Sequence, residues 1–282
     1  MSAYIPYFLN SLTLISILLL VSMGMAIIFG LMNVVNLAHG EFITIGAFTL
    51  VVVERVGGNF WLALIVAPVV GYIFGLILER VLIRRVYGNA LHALLMTWGL
   101  SLILQQVIQL IFTANPQSIK GPFPGAISIF GENYPAYRLF LICFALAVFV
   151  VTVLVFKKTK FGLDLRASIQ SPEMASVMGV NPAKINAHAF ASGAALAALA
   201  GVLLAPLTAV TAYMGLNYLA RSFFVVLIGG AGSISGVAAG SVLIGGLETF
   251  LSYQIPVTVA QAAVLILAIV ILRFRPKGIL PA

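Results

Sequence analysis

Polar groups are scarce in this sequence, so the few that recur at helical spacing define the chemistry open to it. Thr97, Ser101, Gln105 and Gln109 stand four residues apart, with Trp98 beside them, which puts the four polar residues on one face of a helix. A second focus gathers Asn33, Asn36, His39 and Glu41 in the stretch NVVNLAHGE. One histidine and one carboxylate make too thin a shell for zinc without a remote ligand. No Ser/His/Asp or Cys/His arrangement is visible, and His39, His92 and His188 all stand near the ends of apolar stretches, so nucleophilic catalysis is not indicated. Nor does a phosphate-binding loop of the form GxxxxGK[ST] occur. Hydrogen bonding is what remains. The 97–105 face either joins helices to one another or lines a water-filled path for a solute. NLAHG reads as a capped helix junction, with Asn36 as N-cap and Gly40 easing close packing, or as a direct solute contact.

The elements that hold these residues follow from composition. Of 282 residues, 62% are hydrophobic and 8% charged, against about 25% charged in soluble domains. The apolar stretches are continuous and do not alternate, which predicts an all-α, polytopic helical membrane protein and excludes a barrel. The net charge of +8 sits at helix ends, where it reports orientation in membrane lipid and gives no indication of nucleic-acid binding. The lone Cys143 cannot form an internal disulfide. No Lys or Arg precedes the first apolar run, so a cleaved signal peptide is not expected. Residues 1–282 read as a single transmembrane domain.

Spans are expected at Tyr7–Leu31, from Glu41 to Glu54, and at Trp61–Leu78, His92–Ala114, Tyr137–Phe156, Pro182–Pro206 and Val257–Leu272. The loop from Asn115 to Ala136 is too polar to be buried. Ser222–Gly232 is too short to span, and GGAGSISG separates it from Val237–Leu251. That pattern predicts a broken or re-entrant helical hairpin, whose irregular backbone must be covered by protein or water. The total is about eight spans, or nine if both arms cross. Gly193, Ala197, Gly201 and Ala205 form a small-residue stripe of the kind that lets helix backbones approach in a bilayer. Glu248, alone in an apolar arm, needs a partner, and Arg221 is a candidate. Placing Arg80–Arg85, Lys157–Lys184 and Arg273–Lys277 on one side collects eleven of fifteen basic residues there, leaving Arg55, Lys120, Arg138 and Arg221 on the other. The N-terminus is therefore expected outside and the C-terminus in the cytoplasm.

The one long polar interval, Lys157–Asn186 with its loop at 157–184, carries helix punctuation. Ser171 is a good N-cap, Pro172 fits the first turn and Glu173 suits the positive end of the dipole. Gly179 reads as a left-handed stop, so Pro172–Met178 is expected as a helix of about two turns. Asn181 and Pro182 repeat the start signal. Such a loop is either a solvated connector or a docking surface for a cytoplasmic partner. Met174, Val177 and Met178 would form the apolar face of a docking helix.

Four separated stretches, GLMNVVNLAHGEFITIGAF, FGLDLRASIQSPEMASVMGVN, FVVLIGGAGSISGVAAG and FRPKGIL, together resemble the permeases of branched-chain amino-acid and urea ABC importers, in one order over essentially the whole chain. The resemblance implies a permease subunit and not an enzyme, set in a bacterial-type cytoplasmic membrane. It also implies a second related permease, two cytoplasmic ATPase subunits carrying the ATP and Mg, and an extracytoplasmic solute-binding protein. The family's ATPase-contact loop maps onto Phe161–Val180, with Arg166, Glu173 and Gly179 on its pattern and Phe161, Pro172, Met174, Ala175 and Met178 within it. The solute path is then expected at Asn36, His39, Glu41, Thr97, Trp98, Ser101 and Gln105. TWGLSLILQQ followed by IFTANPQ is similar to the urea branch, while other stretches suit either. A stand-alone channel or ion-coupled secondary transporter is the competing reading, but beyond Glu41 and Glu248 the chain offers few buried charges for an ion path. A membrane enzyme would need a catalytic constellation that the sequence lacks.

Overall fold

The computed structural model describes residues 4–32, 36–129, 132–276 and 278–280. Asn33 of the polar junction and Lys277 of the terminal basic cluster lie outside them. At the centre are two largely buried helices, α1 (Tyr4–Met32) and α8 (Pro182–Leu204). Around them stand α2 (His39–Arg55), α3 (Phe60–Val81), α4 (Ala90–Phe112), α5 (Ala136–Lys158), α9 (Leu216–Gly229), α10 (Ile234–Ser252) and α11 (Val257–Phe274). Among the described residues, seven helices are long and apolar enough to cross a membrane. The 17-residue α2 and 14-residue α9 complete the bundle as shorter elements.

Small residues let α8 sit at the centre. Gly193 faces Gly24 of α1, Ala198 meets Gly46 of α2 and Gly71 of α3, and Gly201 lies against the backbone of Ile43. Lipid chains are as apolar as leucine, so helices gain from touching each other only through close packing and hydrogen bonds. The Gly193-to-Ala205 stripe supplies that closeness, and all four of its residues are buried.

The two short helices start inside the bundle. His39 Nε2 lies 3.3 Å from the Val21 carbonyl of α1, yet α1 continues eleven residues beyond Val21 to Met32, about 16 Å of helix. The first turn of α2 is thus set well back from the end of α1. The start of α9 lies beside it, because Gly215 N donates to Thr44 Oγ1 at 3.2 Å and Gly215 packs on Gly40. α9 then runs to Gly229, the chain turns through Gly230 and Gly232 at φ 115° and 78°, and α10 returns. These two glycines adopt a conformation that L side chains rarely take. This is the expected broken hairpin, with its short arm beginning in the interior.

Three expectations are corrected. Asn36 is not the N-cap of α2. The cap position is Ala38, and the Asn36 side chain accepts from Ala38 N at 3.0 Å in an Asx turn ahead of the helix. The 115–136 loop is not wholly irregular or exposed: β1 (Ala126–Ile129) pairs antiparallel with β2 (Glu132–Pro135), and Tyr134 is buried, bonded to Thr13 at 2.8 Å. The 157–184 interval holds a second helix, α6 (Lys160–Gln170), capped by Thr159, ahead of α7 (Pro172–Val177). Arg221 of α9 does pair with Glu248 of α10, at 3.1 Å, as expected. A charge pair with both members largely buried satisfies itself, which is how such groups persist in hydrocarbon.

Adding a methyl group where two backbones touch tests this packing. A Cβ on Gly201 meets the backbone of Ile43 and Ala47, whereas one on Gly246 meets nothing within 4 Å. Gly201→Ala is expected to lower stability by about 1–3 kcal/mol, read as loss of monodisperse protein after heating in detergent. Gly246→Ala should leave the heating profile unchanged.

Candidate functional site

Five of the seven residues expected along the solute path, Asn36, Glu41, Thr97, Ser101 and Gln105, come together where α2 begins. His39, two residues before Glu41 and so about 200° round the helix, turns to the Val21 carbonyl of α1. Glu41 sits in the first turn of α2, where the helix dipole favours a carboxylate. Its Oε1 accepts from Ser101 Oγ at 2.7 Å and from Gln105 Nε2 at 2.7 Å, and Gln105 Nε2 also reaches Ser101 Oγ at 2.9 Å. One turn away, Thr97 Oγ1 accepts from Leu37 N at 3.2 Å and donates to the Leu94 carbonyl at 3.1 Å. The four-residue period of α4 therefore meets the start of α2 face to face. Asn36, His39, Glu41, Thr97, Ser101 and Gln105 are all buried, none more than 3% exposed. Gln109, at the end of the stripe, is half-buried, because a four-residue spacing drifts around a helix of 3.6 residues per turn.

Trp98 does not join them. One residue past Thr97, it turns about 100° around α4 and is 54% exposed on the outside of the bundle. Leu94, Leu95, Leu102 and Ile103 are exposed along the same helix.

The cluster is not fully satisfied. A carbonyl can only accept, so His39 Nε2 carries the proton given to Val21 and Nδ1 is left as an acceptor. Among the described residues seven side-chain atoms are buried without a partner, His39 Nδ1, Asn36 Nδ2 and Glu41 Oε2 here and one each on Ser22, Ser168, Asn186 and Ser241 elsewhere. The three here are two acceptors and one amide donor within six residues, each costing about 1–3 kcal/mol if left unpaired. Such a group can offer hydrogen bonds to a solute or water. It holds no carboxylate pair and no nucleophile, and no group of three His, Cys, Asp or Glu that could hold a metal occurs among the described residues.

The second assembly lies in the polar interval. Thr159 Oγ1 accepts from Gly162 N at 3.4 Å to open α6. Arg166 Nη1 donates to the Phe156 carbonyl at 2.7 Å, and the Phe161 ring meets Phe156 edge-on at 5.9 Å. α6 is thus folded back on the end of α5, and its Leu165 packs against Ile27 of α1 and Ala189 of α8. Then α7 forms as its signals dictate. Ser171 Oγ accepts from Met174 N at 3.4 Å and Pro172 takes the first turn. At the other end Val180 N reaches the Ala175 carbonyl at 3.0 Å, with Gly179 at φ 83°. This paired C-terminal bonding needs a left-handed residue, and glycine supplies it without strain. Ala175 is buried, while Met174, Val177 and Met178 are 67%, 82% and 82% exposed and Glu173 is also exposed. One residue later Asn181 Oδ1 accepts from Lys184 N at 3.1 Å to start α8.

A buried anchor holds the first turn of α8. Arg84 donates to the Ala183 carbonyl at 3.2 Å and pairs with the fully buried Glu79 at 3.2 Å, which also accepts from Tyr87 Oη at 3.1 Å. Burial, with Glu79 beside it, pushes the Tyr87 phenol far above its ordinary range, so it remains a donor. This triad escaped the sequence reading. Its only signal is the closeness of Glu79, Arg84 and Tyr87 in the chain, and Ala183, ninety-nine residues from Arg84, gives none. α6 could have been found from Thr159 as a cap and from Phe161 and Leu165 at helical spacing.

Comparison with known proteins places this geometry. A family model described as branched-chain amino acid transport system / permease component matches residues 7–273. The high-affinity branched-chain amino acid transport system permease protein BraD of Pseudomonas aeruginosa is 30% identical over 98% of this chain and 95% of its own length. LivH of Escherichia coli, a permease protein of the same description, is 30% identical over 99% of this chain and 97% of its own. A probable branched-chain amino acid transport permease LivH of Methanocaldococcus jannaschii is 30% identical over 85% of this chain and 78% of its own. No solved structure matches the chain. A multi-pass helical bundle agrees with those matches, and the chain belongs to the branched-chain amino acid transport permease family, as a transport subunit and not an enzyme.

Proposed function

We propose that this chain is a permease subunit of an ABC importer, passing a small polar or amphipathic solute inward while a separate cytoplasmic ATPase hydrolyses ATP. The observation that carries the reading is α7, a rigidly capped two-turn helix at the basic edge of the bundle whose Met174, Val177 and Met178 stand exposed. A groove on an ATPase would bury them at about 1.5–3 kcal/mol each before ordering costs. The assembly contains a second related permease, two ATPase subunits and an extracytoplasmic solute-binding protein. The bacterial cytoplasmic membrane is the setting. The basic asymmetry of the chain supports an N-terminus outside and a C-terminus in the cytoplasm.

The solute path runs past Glu41, Ser101 and Gln105, with Asn36, His39 and Thr97 beside them. The unpaired Asn36 Nδ2 and Glu41 Oε2 support this assignment, since a buried polar atom left without a partner can take one from a passing solute. The relatives named above are branched-chain amino-acid permeases, which supports that solute class. The stretch from Thr97 to Gln117, similar to the urea branch, supports urea as a second reading.

Three outcomes are expected. In the assembled complex, ATP hydrolysis should be stimulated by the bound binding protein loaded with one of leucine or urea and not the other. Concentrative uptake by the purified chain alone, driven by an ion gradient in liposomes, would sink the ABC reading.

Met178→Asp and Gly179→Val should each reduce ATPase co-purification and solute uptake while membrane-inserted protein stays at its normal level. At Gly179 nothing lies within 4 Å of an added Cβ, so the valine acts through left-handed backbone strain of roughly 1 kcal/mol or more. Normal assembly and uptake in both variants would remove α7 from the coupling role.

Single cysteines at positions 97, 101 and 105, in a chain whose exposed Cys143 is replaced by serine, should react with a water-soluble thiol reagent in at least one nucleotide state. If all three stay unlabelled in every state while outer-loop positions react, the face is packing only.

A further inference from the structure

Between α5, α6 and the turn joining α9 to α10 lies a cavity of about 390 Å³, whose walls include Phe149, Val153, Phe156, Lys157, Arg166 and Ser235. Lys157, in the last turn of α5, and Arg166 of α6 line it together with Ser235 of α10. Among the described residues no carboxylate lines the cavity, and the ion pairs, Arg84 with Glu79 and Arg221 with Glu248, use neither cation. Deeper along α5 the wall is Val153 and Phe149. Phe149 is eight residues before Lys157, about 12 Å of helix toward the bilayer interior.

We propose that this cavity binds an anionic phospholipid, its phosphate between Lys157 and Arg166 and an acyl chain along Phe149 and Val153. Two cations without a carboxylate partner call for an anion. The apolar wall beneath them calls for a chain covalently attached to that anion, which a free phosphate lacks. The position fits as well, since basic pockets between helices at a membrane edge take anionic headgroups. A lipid held here touches α5 and α6 on one side and the α9–α10 turn on the other, joining the segment that leads into α7 to the broken hairpin. Arg166 then has two tasks, because its Nη1 already closes α6 onto the Phe156 carbonyl and its remaining N–H groups face the phosphate.

Native mass spectrometry of the assembled transporter, purified in detergent with phosphatidylglycerol and phosphatidylcholine at equal concentration, tests the site. Phosphatidylglycerol should be retained about tenfold over phosphatidylcholine, and millimolar glycerol 3-phosphate should not displace it. Lys157→Gln combined with Arg166→Gln should abolish the preference. Val153→Trp, which fills the apolar end and leaves both charges in place, should lower retention of either lipid. If the double variant fails to assemble because α6 loses its bond to Phe156, Lys157→Gln alone and Val153→Trp decide the matter. Equal retention of the two lipids, displacement by glycerol 3-phosphate, or unchanged retention in Lys157→Gln and Val153→Trp would each overturn the proposal.

Discussion

How closely the backbone of α8 can approach α1, α2 and α3 is the constraint on which the remaining geometry depends. Helices in lipid are not driven together by an apolar surface seeking to leave water, so contact must come from packing. Here it comes from glycine and alanine meeting backbone: Gly193 on Gly24, Ala198 on Gly46 and Gly71, Gly201 on Ile43. These contacts fix where α2 begins. Were α2 to move outward by the width of a methyl group, Glu41 would leave the 2.7 Å hydrogen bonds it accepts from Ser101 and Gln105. The apolar packing of α8 and the polar cluster at α4 are thus one arrangement, with α2 as the shared part.

Stability does not explain that cluster. A buried carboxylate with one oxygen satisfied twice and the other unpaired is worse for the fold than an apolar side chain of the same size. The Arg221–Glu248 pair shows the alternative, two charges that meet and neutralise each other within the same bundle. Unpaired polar atoms on Asn36, His39 and Glu41, within six residues at the start of α2, mark a place where the sequence accepts a cost to the fold. Transport supplies a reason, because a site that must bind and then release a solute cannot satisfy all of its own hydrogen bonds.

What could be read from the sequence was local. Ser171, Pro172, Gly179 and Asn181 act within four residues of themselves, so α7 and its caps were legible to within a residue, and the four-residue spacing of Thr97, Ser101 and Gln105 gave their common face. Depth was not legible. Nothing near Asn36 tells that α2 starts beside Val21, since that follows from the approach of α1 and α8 far away in the chain, and so the cap was assigned to Asn36 when the helix opens two residues later. Trp98 was misplaced for a simpler reason: adjacency in sequence is a turn of about 100° on a helix. α6 was hidden by its own charges, because Lys157, Lys158 and Lys160 read as a solvated edge while Phe161, Gly162, Leu165 and Ser168 turn toward the bundle. The β-hairpin lay among prolines and glycines that signal irregular chain, and its buried Tyr134 finds its partner, Thr13, 121 residues away.

The proposed coupling role places a mechanical demand on the connections, and both are short: a single residue, Ser171, joins α6 to α7, and the link onward to α8 is as tight. Between the stop of α7 at Gly179 and the cap of α8 at Asn181 there is a single residue, Val180, whose own N–H is bonded back to Ala175. A displacement of α7 therefore has little slack to take up before it reaches α8, and the Arg84–Ala183 bond ties the same turn to the loop after α3. From α8 the contacts lead to α2 and to Glu41. On the other side of the cluster α4 exposes Leu91, Leu95, Trp98 and Ile103 and meets the first turn of α2 through the bonds to Glu41, with Phe112 against Phe48 at its far end. Hydrogen bonds to a shared carboxylate can be exchanged for bonds to water or a solute at small net cost, whereas interlocked backbones cannot slide without opening voids. Motion entering at α7 would thus carry α8 and α2 together and yield at the seam with α4, along which the proposed solute path runs.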